Sequence, residues 1–523
     1  MNIHPFSLEQ PLLGFQSEPG ETEYWTIANA VENVLILGAT GSGKSSGSFE
    51  TLVCKYLSAG FGGLILSAKS ERKMWERYCS LTGRSHHLVV IEPFGDHAFD
   101  FINYESLHKP AGLSITDNIL HVIRTVINAS NEKDAGSSRD PFWDDARDTL
   151  IGNLLQLCQI AYGSITIQHL YDIVQSIPKD IGSRDEESPF SKALSIAKNK
   201  INQQIDEWEE RIGPSVVQEY IDGNRFEVEA EKAIRDMRPL KMVDEFFTRQ
   251  FIPLADKTRS TVEFTCITFL GRLMQEPIYS LFCGGRITVT PEDCTKGKIL
   301  LVDLPIKTFD KAGRDAQTLV KFCFQRAFER RPVYNDTPPL FIFADESHNF
   351  ITEYDPLFLS TSRSAKISSV YVTQNLASYY ANMGGIKATA KVNSFLSNFN
   401  TKFFHANSDA ETNRYASELI GEAYDEKPTH SFSVGRDSSQ SRSTTPELKR
   451  VFRPEGFMRL MNGGADNNFV IEAILHRLGK PFTSGRNAIK VLFRQTPNEA
   501  SVQGFPEQNK SSCSSPKPTE NKH

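Results

Sequence analysis

One short glycine-rich segment constrains the fold of this chain more than any other feature. Its residues match the pattern G-x-x-x-x-G-K-S and are Gly38, Ala39, Thr40, Gly41, Ser42, Gly43, Lys44 and Ser45. An apolar run at residues 34–37 precedes it, and apolar residues at helical spacing follow it. Glycines let the backbone wrap closely round phosphate oxygens, and the N-terminus of a helix adds a favourable dipole. The segment therefore predicts a phosphate-binding loop between a strand and a helix.

The residue types in this loop also predict its ligand. Lys44 is expected to reach the β- and γ-phosphates of a nucleotide, and the hydroxyl of Ser45 to bind Mg²⁺. Ser46 completes the predicted nucleotide-binding set. The alternative, a glycine turn that binds nothing, does not explain the strand and helix patterns on the two sides of the string. We therefore predict that the chain binds ATP with Mg²⁺.

Continuous apolar runs rich in β-branched residues predict buried strands elsewhere in the chain. They are residues 34–37, 64–66, 88–91, 299–302, 340–343, 370–373, 402–404 and 469–474. Helical patterns alternate with these runs, as expected for βαβ units. The predicted fold class is α/β, with a doubly wound and mostly parallel sheet.

A long central part of the chain has a different pattern. Apolar residues recur there at helical spacing, for example from Ile119 to Ile127, which predicts an all-α domain inserted into the α/β domain. Residues 431–446 are polar and lack an apolar period, so we predict that they are flexible. The predicted organisation is a first nucleotide-binding part at 1–111, the all-α domain at 112–285, a second nucleotide-binding part at 286–494 and a disordered tail at 495–523.

A phosphate-binding loop needs a distant carboxylate at the end of a buried strand to hold the Mg²⁺ shell. Two strands end in an aspartate. Asp303 follows residues 299–302 but has no second acid beside it. Asp345 follows residues 340–343 and is joined by Glu346. We favour the second pair, with Asp345 orienting the Mg²⁺ waters and Glu346 polarising the attacking water as a general base.

Two further residues are candidates for catalysis. Gln374 follows the strand at 370–373 and is predicted to sense the γ-phosphate, although a glutamine that caps a loop is the alternative. Arg363 follows a predicted helix and is a candidate arginine finger, donated across a subunit interface. An ordinary exposed arginine remains the competing interpretation for Arg363.

Composition excludes several classes of protein. Of the 523 residues, 39% are hydrophobic and 23% charged, which is typical of a globular protein. The sequence has no run of 18 apolar residues, so we predict no transmembrane helix. The formal net charge of −6 argues against a surface covered with basic residues, but leaves room for a local basic pore. The eight cysteines include no C-x-x-C pair, so we predict no zinc site and a reducing, cytoplasmic compartment.

In their order along the chain, these motifs resemble those of the TraG/TraD-type coupling ATPases of type IV secretion and conjugation, which are related to the FtsK/HerA DNA motors. The resemblance extends from about residue 33 to residue 480 and includes residues 64–71, 141–147, 297–305, 373–375, 398–402 and 408–412. One departure concerns the family's strand ending in Asp-x-Lys-x-Glu. Ser67 stands in place of that aspartate, which leaves the role of Lys69 open.

The resemblance implies more than the residues alone do. It implies a RecA-like domain that assembles as a ring, typically a hexamer, with ATP at the subunit interfaces. It implies ATP hydrolysis coupled to the movement of single-stranded DNA with its bound relaxase, or of a secreted protein, into the type IV secretion channel. Family members usually begin with transmembrane helices, so this chain is expected to reach the inner membrane only through a partner.

Two other functions fit the same motifs. One is an FtsK/HerA-like DNA translocase that works in DNA processing or defence. The other is a substrate-docking adaptor whose ATP site controls assembly.

Overall fold

The computed structural model describes residues 4–18, 21–109, 112–134, 141–180, 182, 185–383, 388–433 and 439–495. Its strands are β1 (Pro11–Glu18), β2 (Glu21–Thr26), β3 (Val34–Leu37), β4 (Gly62–Leu66), β5 (Leu88–Ile91), β6 (Ile299–Val302), β7 (Leu340–Ala344), β8 (Ile367–Thr373), β9 (Thr401–Phe404), β10 (Glu422–Ser433), β11 (Ser439–Arg450), β12 (Val470–Arg477) and β13 (Ala488–Arg494).

Helices connect most of these strands. They are α1 (Ile27–Ala30), α2 (Glu50–Ser58), α3 (Arg72–Leu81), α4 (Phe101–Leu107), α5 (Ile115–Asp134), α6 (Pro141–Tyr162), α7 (Ile167–Gln175), α8 (Pro189–Ile212), α9 (Pro214–Asp222), α10 (Phe226–Ala233), α11 (Met237–Glu245), α12 (Asp256–Leu273), α13 (Ile278–Phe282), α14 (Pro291–Thr295), α15 (Ile306–Arg330), α16 (Asp355–Thr361), α17 (Leu376–Asn382), α18 (Ala388–Leu396), α19 (Ala410–Ile420) and α20 (Pro454–Phe457).

The central sheet has the strand order β13-β12-β9-β3-β8-β7-β4-β6-β5. From β9 to β6 the neighbouring strands are parallel. At the other side, β12 runs antiparallel to both β9 and β13. The carboxyl ends of β3, β7, β8 and β9 therefore meet at one edge, where ligands bind in open α/β sheets. The start of β12 and the end of β13 lie at this same edge.

The parallel strands form because their apolar side chains are covered on both faces. Every residue of β3, β7 and β8 is buried. Phe343 in β7 lies at the centre of an aromatic cluster, with ring-centroid distances of 5.4 Å to Phe49, 5.5 Å to Tyr56 and 5.6 Å to Trp75. Two of these aromatic residues belong to the helical segment after the glycine-rich loop, so the cluster packs that segment against β7.

The chain divides into two compact units, which we describe separately. The first contains the described residues up to 89, together with 292–303 and those from 325 onward. The second comprises residues 90–291 and 304–324, and between residues 112 and 285 its described part is helical, without a strand. A buried arginine links two helices of this second unit, because Arg147 of α6 donates to Asn128 Oδ1 of α5 at 3.0 Å as well as to Asp148 of its own helix at 2.7 Å.

All eight predicted strands are present, and the described part of residues 112–285 is helical as expected. Two strands lie where the sequence predicts no regular structure. The described part of residues 431–446 belongs to β10 and β11, which pair antiparallel with each other, while the flexibility of this segment stays a prediction. Backbone hydrogen bonds between two strands do not require an alternating apolar pattern, so the absence of that pattern did not exclude these strands. The exact domain boundaries stay predictions, and the predicted tail lies outside the described residues apart from Gln495.

Two features, a single membrane-spanning helix and a cluster of metal ligands, are not seen within the described ranges. No single helix is both long and apolar enough to cross a membrane, although α6 and α7, bent by 113°, meet that criterion as a pair. No group of three or more His, Cys, Asp or Glu side chains is arranged to hold a metal ion there.

Candidate nucleotide site

The glycine-rich loop leaves β3 in a conformation that its glycines make possible. Gly41 and Gly43 have φ angles of +76° and +82°, in the left-handed region that other residues rarely occupy. Gly38 is constrained by space, because a Cβ atom there would lie 2.5 Å from Ser42 Oγ and 2.7 Å from His405 Cβ. The loop is thus a close-packed turn, in which larger side chains would displace the backbone that has to meet phosphate.

Lys44 stands where this loop becomes helical. Its backbone is already helical, with φ −52° and ψ −44°, and its side chain is only 7% exposed. The first turn, Ser45–Phe49, is wider than an α-helix, and the Phe49 N–H donates to the Lys44 carbonyl at 3.1 Å. Such π-helical turns are frequent at functional sites. The structure therefore gives Lys44, Ser45 and Ser46 the predicted position at the opening of the helix.

The residues that follow β9 support the loop from one side. The His405 N–H donates to the Leu37 carbonyl at 2.8 Å, and the Ala39 N–H donates to the Ala406 carbonyl at 2.9 Å. His405 Nε2 lies 2.7 Å from the hydroxyl of Ser48 in the first helical turn. Burial, and next the charge of Lys44, lowers the pKa of His405 to about 3. His405 is therefore a neutral residue that joins the sheet to the phosphate loop.

This buried histidine predicts a measurable pH dependence of stability. Below pH 6.5 the unfolded chain protonates His405, whereas the folded chain does not until about pH 3. The unfolded state then binds more protons, so the free energy of unfolding falls by about 1.4 kcal/mol per pH unit of acidification. We expect His405→Gln to reduce this slope between about pH 6 and pH 4, in urea titrations at several pH values.

A matched control is His86→Gln, because His86 is exposed. The control is expected to keep the parent slope. An unchanged slope in His405→Gln would mean that the imidazole is protonated in the folded chain.

Asp345 lies at the carboxyl end of β7 as predicted. Its N–H donates to the Leu66 carbonyl of β4 at 3.1 Å, and its side chain is hydrogen-bonded to Glu71. Burial, followed by the charge of Glu346, raises the pKa of Asp345, while Lys69 and Lys44 act in the opposite direction. Burial and the charge of Asp345 likewise raise the pKa of Glu71. The carboxyl groups of Asp345 and Glu71 are thus direct neighbours at the end of β7. A bound cation would favour the ionised form of both.

Glu346 has a strained backbone and a well-defined side chain. Its φ and ψ are both +47°, a left-handed conformation that is uncommon for a non-glycine residue. Gln374 Nε2 donates to Glu346 Oε1 at 3.1 Å, and His348 Nδ1 lies 3.7 Å from Oε2. Asn349 Nδ2 donates to the Glu346 carbonyl at 2.9 Å. The turn after β7 therefore holds the carboxylate of Glu346 beside the amide of Gln374.

The strand order explains how Gln374 reaches this carboxylate. Strand β8 lies between β3, which carries the phosphate loop, and β7, which carries Asp345 and Glu346. Gln374 follows β8 directly, and Asn407 Nδ2 donates to its carbonyl at 2.8 Å. Phosphate loop, glutamine and carboxylates thus follow one another along a single edge. This is the arrangement in which an amide could respond to the γ-phosphate.

Asp303 and Arg363 occupy different surroundings. Asp303 follows β6, three strands away from β8, and accepts a hydrogen bond from Ser70 Oγ at 3.0 Å. Arg363 precedes β8 and so lies at the opposite edge from the phosphate loop. Its side chain is 62% exposed and lies 3.4 Å from Glu32 of the same chain. Seven residues of β8 at about 3.3 Å each separate the two edges by roughly 20 Å, so Arg363 is not brought to the nucleotide site of its own chain.

The residues present fit a hydrated Mg²⁺ ion. Two buried oxygens, Asp345 Oδ1 and Ser42 Oγ, have no hydrogen-bond partner among the described residues. A buried polar atom without a partner is costly, which favours a ligand that would satisfy it. Asp345, through water, and the Ser45 hydroxyl are the residues that would hold the ion. A bound Mg²⁺ would neutralise charge on the phosphate oxygens.

Several residues of this site had no assigned role in the sequence analysis. Glu71 belongs to a recognised motif, and His348 follows Glu346 by two positions, so both had a local signal. His405 follows a predicted strand but belongs to no motif. Its proximity to the phosphate loop depends on β9 lying next to β3, which one sequence does not reveal.

Comparisons with known proteins show what this chain is similar to. Residues 339–462, which include Asp345, Glu346, Arg363 and Gln374, match a family model described as the TraM recognition site of TraD and TraG. The resemblance to the TraG/TraD-type coupling ATPases is confirmed. Among curated proteins, none matches the chain significantly by sequence.

Solved structures of a conjugative coupling protein of this type, TrwB, have a similar fold. An unbound form, TrwBdeltaN70, has a TM-score of 0.58 at 13% identity, covering 94% of this chain and 95% of that chain. TrwB bound to the ATP analogue ADPNP has a TM-score of 0.56, and TrwB bound to ADP and Mg²⁺ one of 0.52, both at 13% identity and with the same two coverages. The predicted fold class, an α/β domain with a doubly wound, mostly parallel sheet and an inserted all-α domain, is therefore confirmed.

Proposed function

We propose that this chain is an ATP-hydrolysing coupling protein. It recruits single-stranded DNA with a bound relaxase, or a secreted protein, and drives it into a conjugative type IV secretion channel. The observation that carries the proposal is the sequence of groups along one sheet edge: phosphate loop, Gln374, then Asp345 and Glu346. This edge occurs in a fold shared with TrwB, a coupling protein that has been crystallised with an ATP analogue and with ADP and Mg²⁺.

Each group has a distinct role in the proposed hydrolysis. The loop from Gly38 to Ser46 holds the phosphates through its backbone N–H groups, while Lys44 neutralises charge on the β- and γ-phosphates. Glu346 accepts a proton from the attacking water. Gln374 bonds Glu346 and so links the state of the γ-phosphate to β8. Asp345, with Glu71 beside it, orients the water shell of Mg²⁺.

Arg363 acts, in this proposal, on the nucleotide of a neighbouring subunit. Because it lies at the edge opposite its own phosphate loop, it can serve only in trans. Its exposure leaves the guanidinium accessible to a second chain. A closed ring, with six subunits as the expected number, would supply that neighbour at every site. If Arg363 turned away from Glu32 towards that neighbour, Glu32 would still be paired with Lys480, whose Nζ lies 3.7 Å from its carboxylate.

The location and the cargo also belong to the proposal. The chain would work in the cytoplasm, at the inner membrane through a membrane-bound partner. The match to a TraM recognition region supports docking onto a protein of the DNA-processing complex through residues 339–462.

ATPase assays with and without single-stranded DNA, combined with mass measurement in solution, test this function. We expect a ring of about six times 58.8 kDa and a several-fold rise in ATP turnover with DNA. Arg363→Ala should keep the mass and lose the DNA-stimulated rate, whereas Arg249→Ala, at an exposed arginine of the second unit, should keep both. DNA stimulation without any response to a relaxase or channel component would favour the general DNA translocase. Tight binding of a secreted protein with no DNA stimulation would favour the docking adaptor.

A further inference from the structure

The direction of a bound nucleotide follows from the strand order. Asp345, Glu346 and Gln374 lie on the β7–β8 side of the phosphate loop, so the γ-phosphate must point to that side. The nucleoside must then lie towards the other side, where β9, β12 and β13 continue the sheet. Because β12 is antiparallel to β9, the segment before β12 and the residue after β13 both lie at the nucleotide edge.

A glutamine at this second side is bonded directly to the phosphate-loop helix. Gln495, which follows β13, donates through Nε2 to Ser46 Oγ at 2.8 Å. Its Oε1 accepts the N–H of Gly464 at 2.7 Å, and its own N–H donates to the Phe469 carbonyl at 2.8 Å. One side chain thus fixes the loop at residues 462–469 to the first helical turn after Lys44.

That loop, residues 462–469, has an unusual backbone. Gly463 and Gly464 have φ angles of +86° and +77°, and two consecutive larger residues, Asn468 and Phe469, have +51° and +57°. Left-handed conformations of non-glycine residues are costly and concentrate at functional sites. A Cβ atom at Gly463 would lie 2.4 Å from the Gln495 amide, so this position needs glycine.

Ile471, two residues after this loop, packs against the phosphate loop. A Cβ atom at Gly43 would lie 2.8 Å from the Ile471 side chain, and one at Gly47 would lie 3.3 Å from it. The phosphate loop and the 462–469 loop are therefore in contact through Ile471 as well as through Gln495. The Ile471 contact and the Gln495 hydrogen bonds are independent, and both place the 462–469 loop beside the start of the helix.

We infer that the 462–469 loop, positioned by Gln495, forms the subsite for the nucleoside of the bound nucleotide. Gln495 is the positioning residue, because its amide bonds the loop on one side and Ser46 on the other. The inference rests on the proposed function, since it requires ATP in the phosphate loop. It assigns the phosphates to one set of residues and the base and ribose to another.

Calorimetric titration with ATP and with inorganic tripolyphosphate, each with Mg²⁺, distinguishes residues that bind the phosphates from residues that bind the base and ribose. We expect the full-length chain to bind ATP more tightly than tripolyphosphate. Gln495→Ala is expected to weaken ATP binding about tenfold, the effect of losing such hydrogen bonds, and to change tripolyphosphate binding less than about twofold.

Gln203→Ala is the matched control, because Gln203 is exposed and its amide bonds Glu207 of the same helix at 2.9 Å. It is expected to bind both ligands as the parent does. Equal weakening of ATP and tripolyphosphate by Gln495→Ala would overturn the inference, because it would show that Gln495 only shapes the phosphate loop. Unchanged ATP binding would overturn it too. A parent chain that binds neither ligand would instead refute the proposed function.

Discussion

Glu346→Gln is expected to lower the rate of ATP hydrolysis by about 10²–10⁴-fold, the contribution of a general base, while ATP binding stays nearly unchanged. Glutamine has the shape of glutamate but cannot accept the proton of the attacking water. The neighbouring bond can persist, because the Gln374 amide, 3.1 Å from Oε1 in the parent, can still donate to the new side-chain carbonyl. Glutamine also meets the same backbone strain at φ +47°, so the fold should be retained.

Phosphate release under saturating ATP and equilibrium binding of ATP measure the two quantities separately. Glu353→Gln is a suitable control, since Glu353 is an exposed carboxylate a few residues further along, paired with Lys391 at 2.8 Å. The control should hydrolyse ATP at the parent rate. A Glu346→Gln chain that turns over ATP at half the parent rate or faster would remove Glu346 from the role of base.

Lys44→Ala should abolish hydrolysis and weaken ATP binding by about 100-fold, because charge-assisted hydrogen bonds to phosphate are lost. Lys44 is 7% exposed and has a helical backbone, so its amine is held within the loop. Unlike Glu346→Gln, this substitution acts on the ground-state complex as well as on the transition state.

Binding of tripolyphosphate, ATP and ADP to Lys44→Ala, with melting curves of the ligand-free chains, gives the measurement. Lys73→Ala, at an exposed lysine of α3, controls for the loss of a positive charge. The expected pattern is weak binding of all three ligands at an unchanged melting midpoint. Parent-like turnover in Lys44→Ala would contradict the assignment of the whole loop.

The strands that could be predicted share one property. Continuous apolar runs such as those of β3 and β7 are buried on both faces, and this pattern is visible in a single sequence. Strand β13 was not predicted, because alternate residues such as Leu492 are exposed and charged residues interrupt the run. Its position is set by pairing with β12, which depends on the rest of the sheet.

The candidate site was predictable in part for a similar reason. The phosphate loop and the Asp345–Glu346 pair are local patterns attached to predictable strands. The order of strands is not local, and it decides that Gln374 meets Glu346 while Arg363 lies at the far edge. Residues such as His405 and Gln495 approach the phosphate loop from positions more than 300 residues away, so no local pattern could reveal them.

Strand β8 gives the two edges of the sheet a mechanical connection. It is buried along its whole length and bonded to a strand on each side, so it resists bending and would move as a rigid rod. One end carries Gln374, next to the γ-phosphate position, and the other follows Arg363, which faces outward. In the proposed ring, a movement of Gln374 on loss of phosphate at one site would therefore be transmitted by β8 to Arg363, and so to the adjoining site. The timing of neighbouring hydrolysis events would then be a property of this strand.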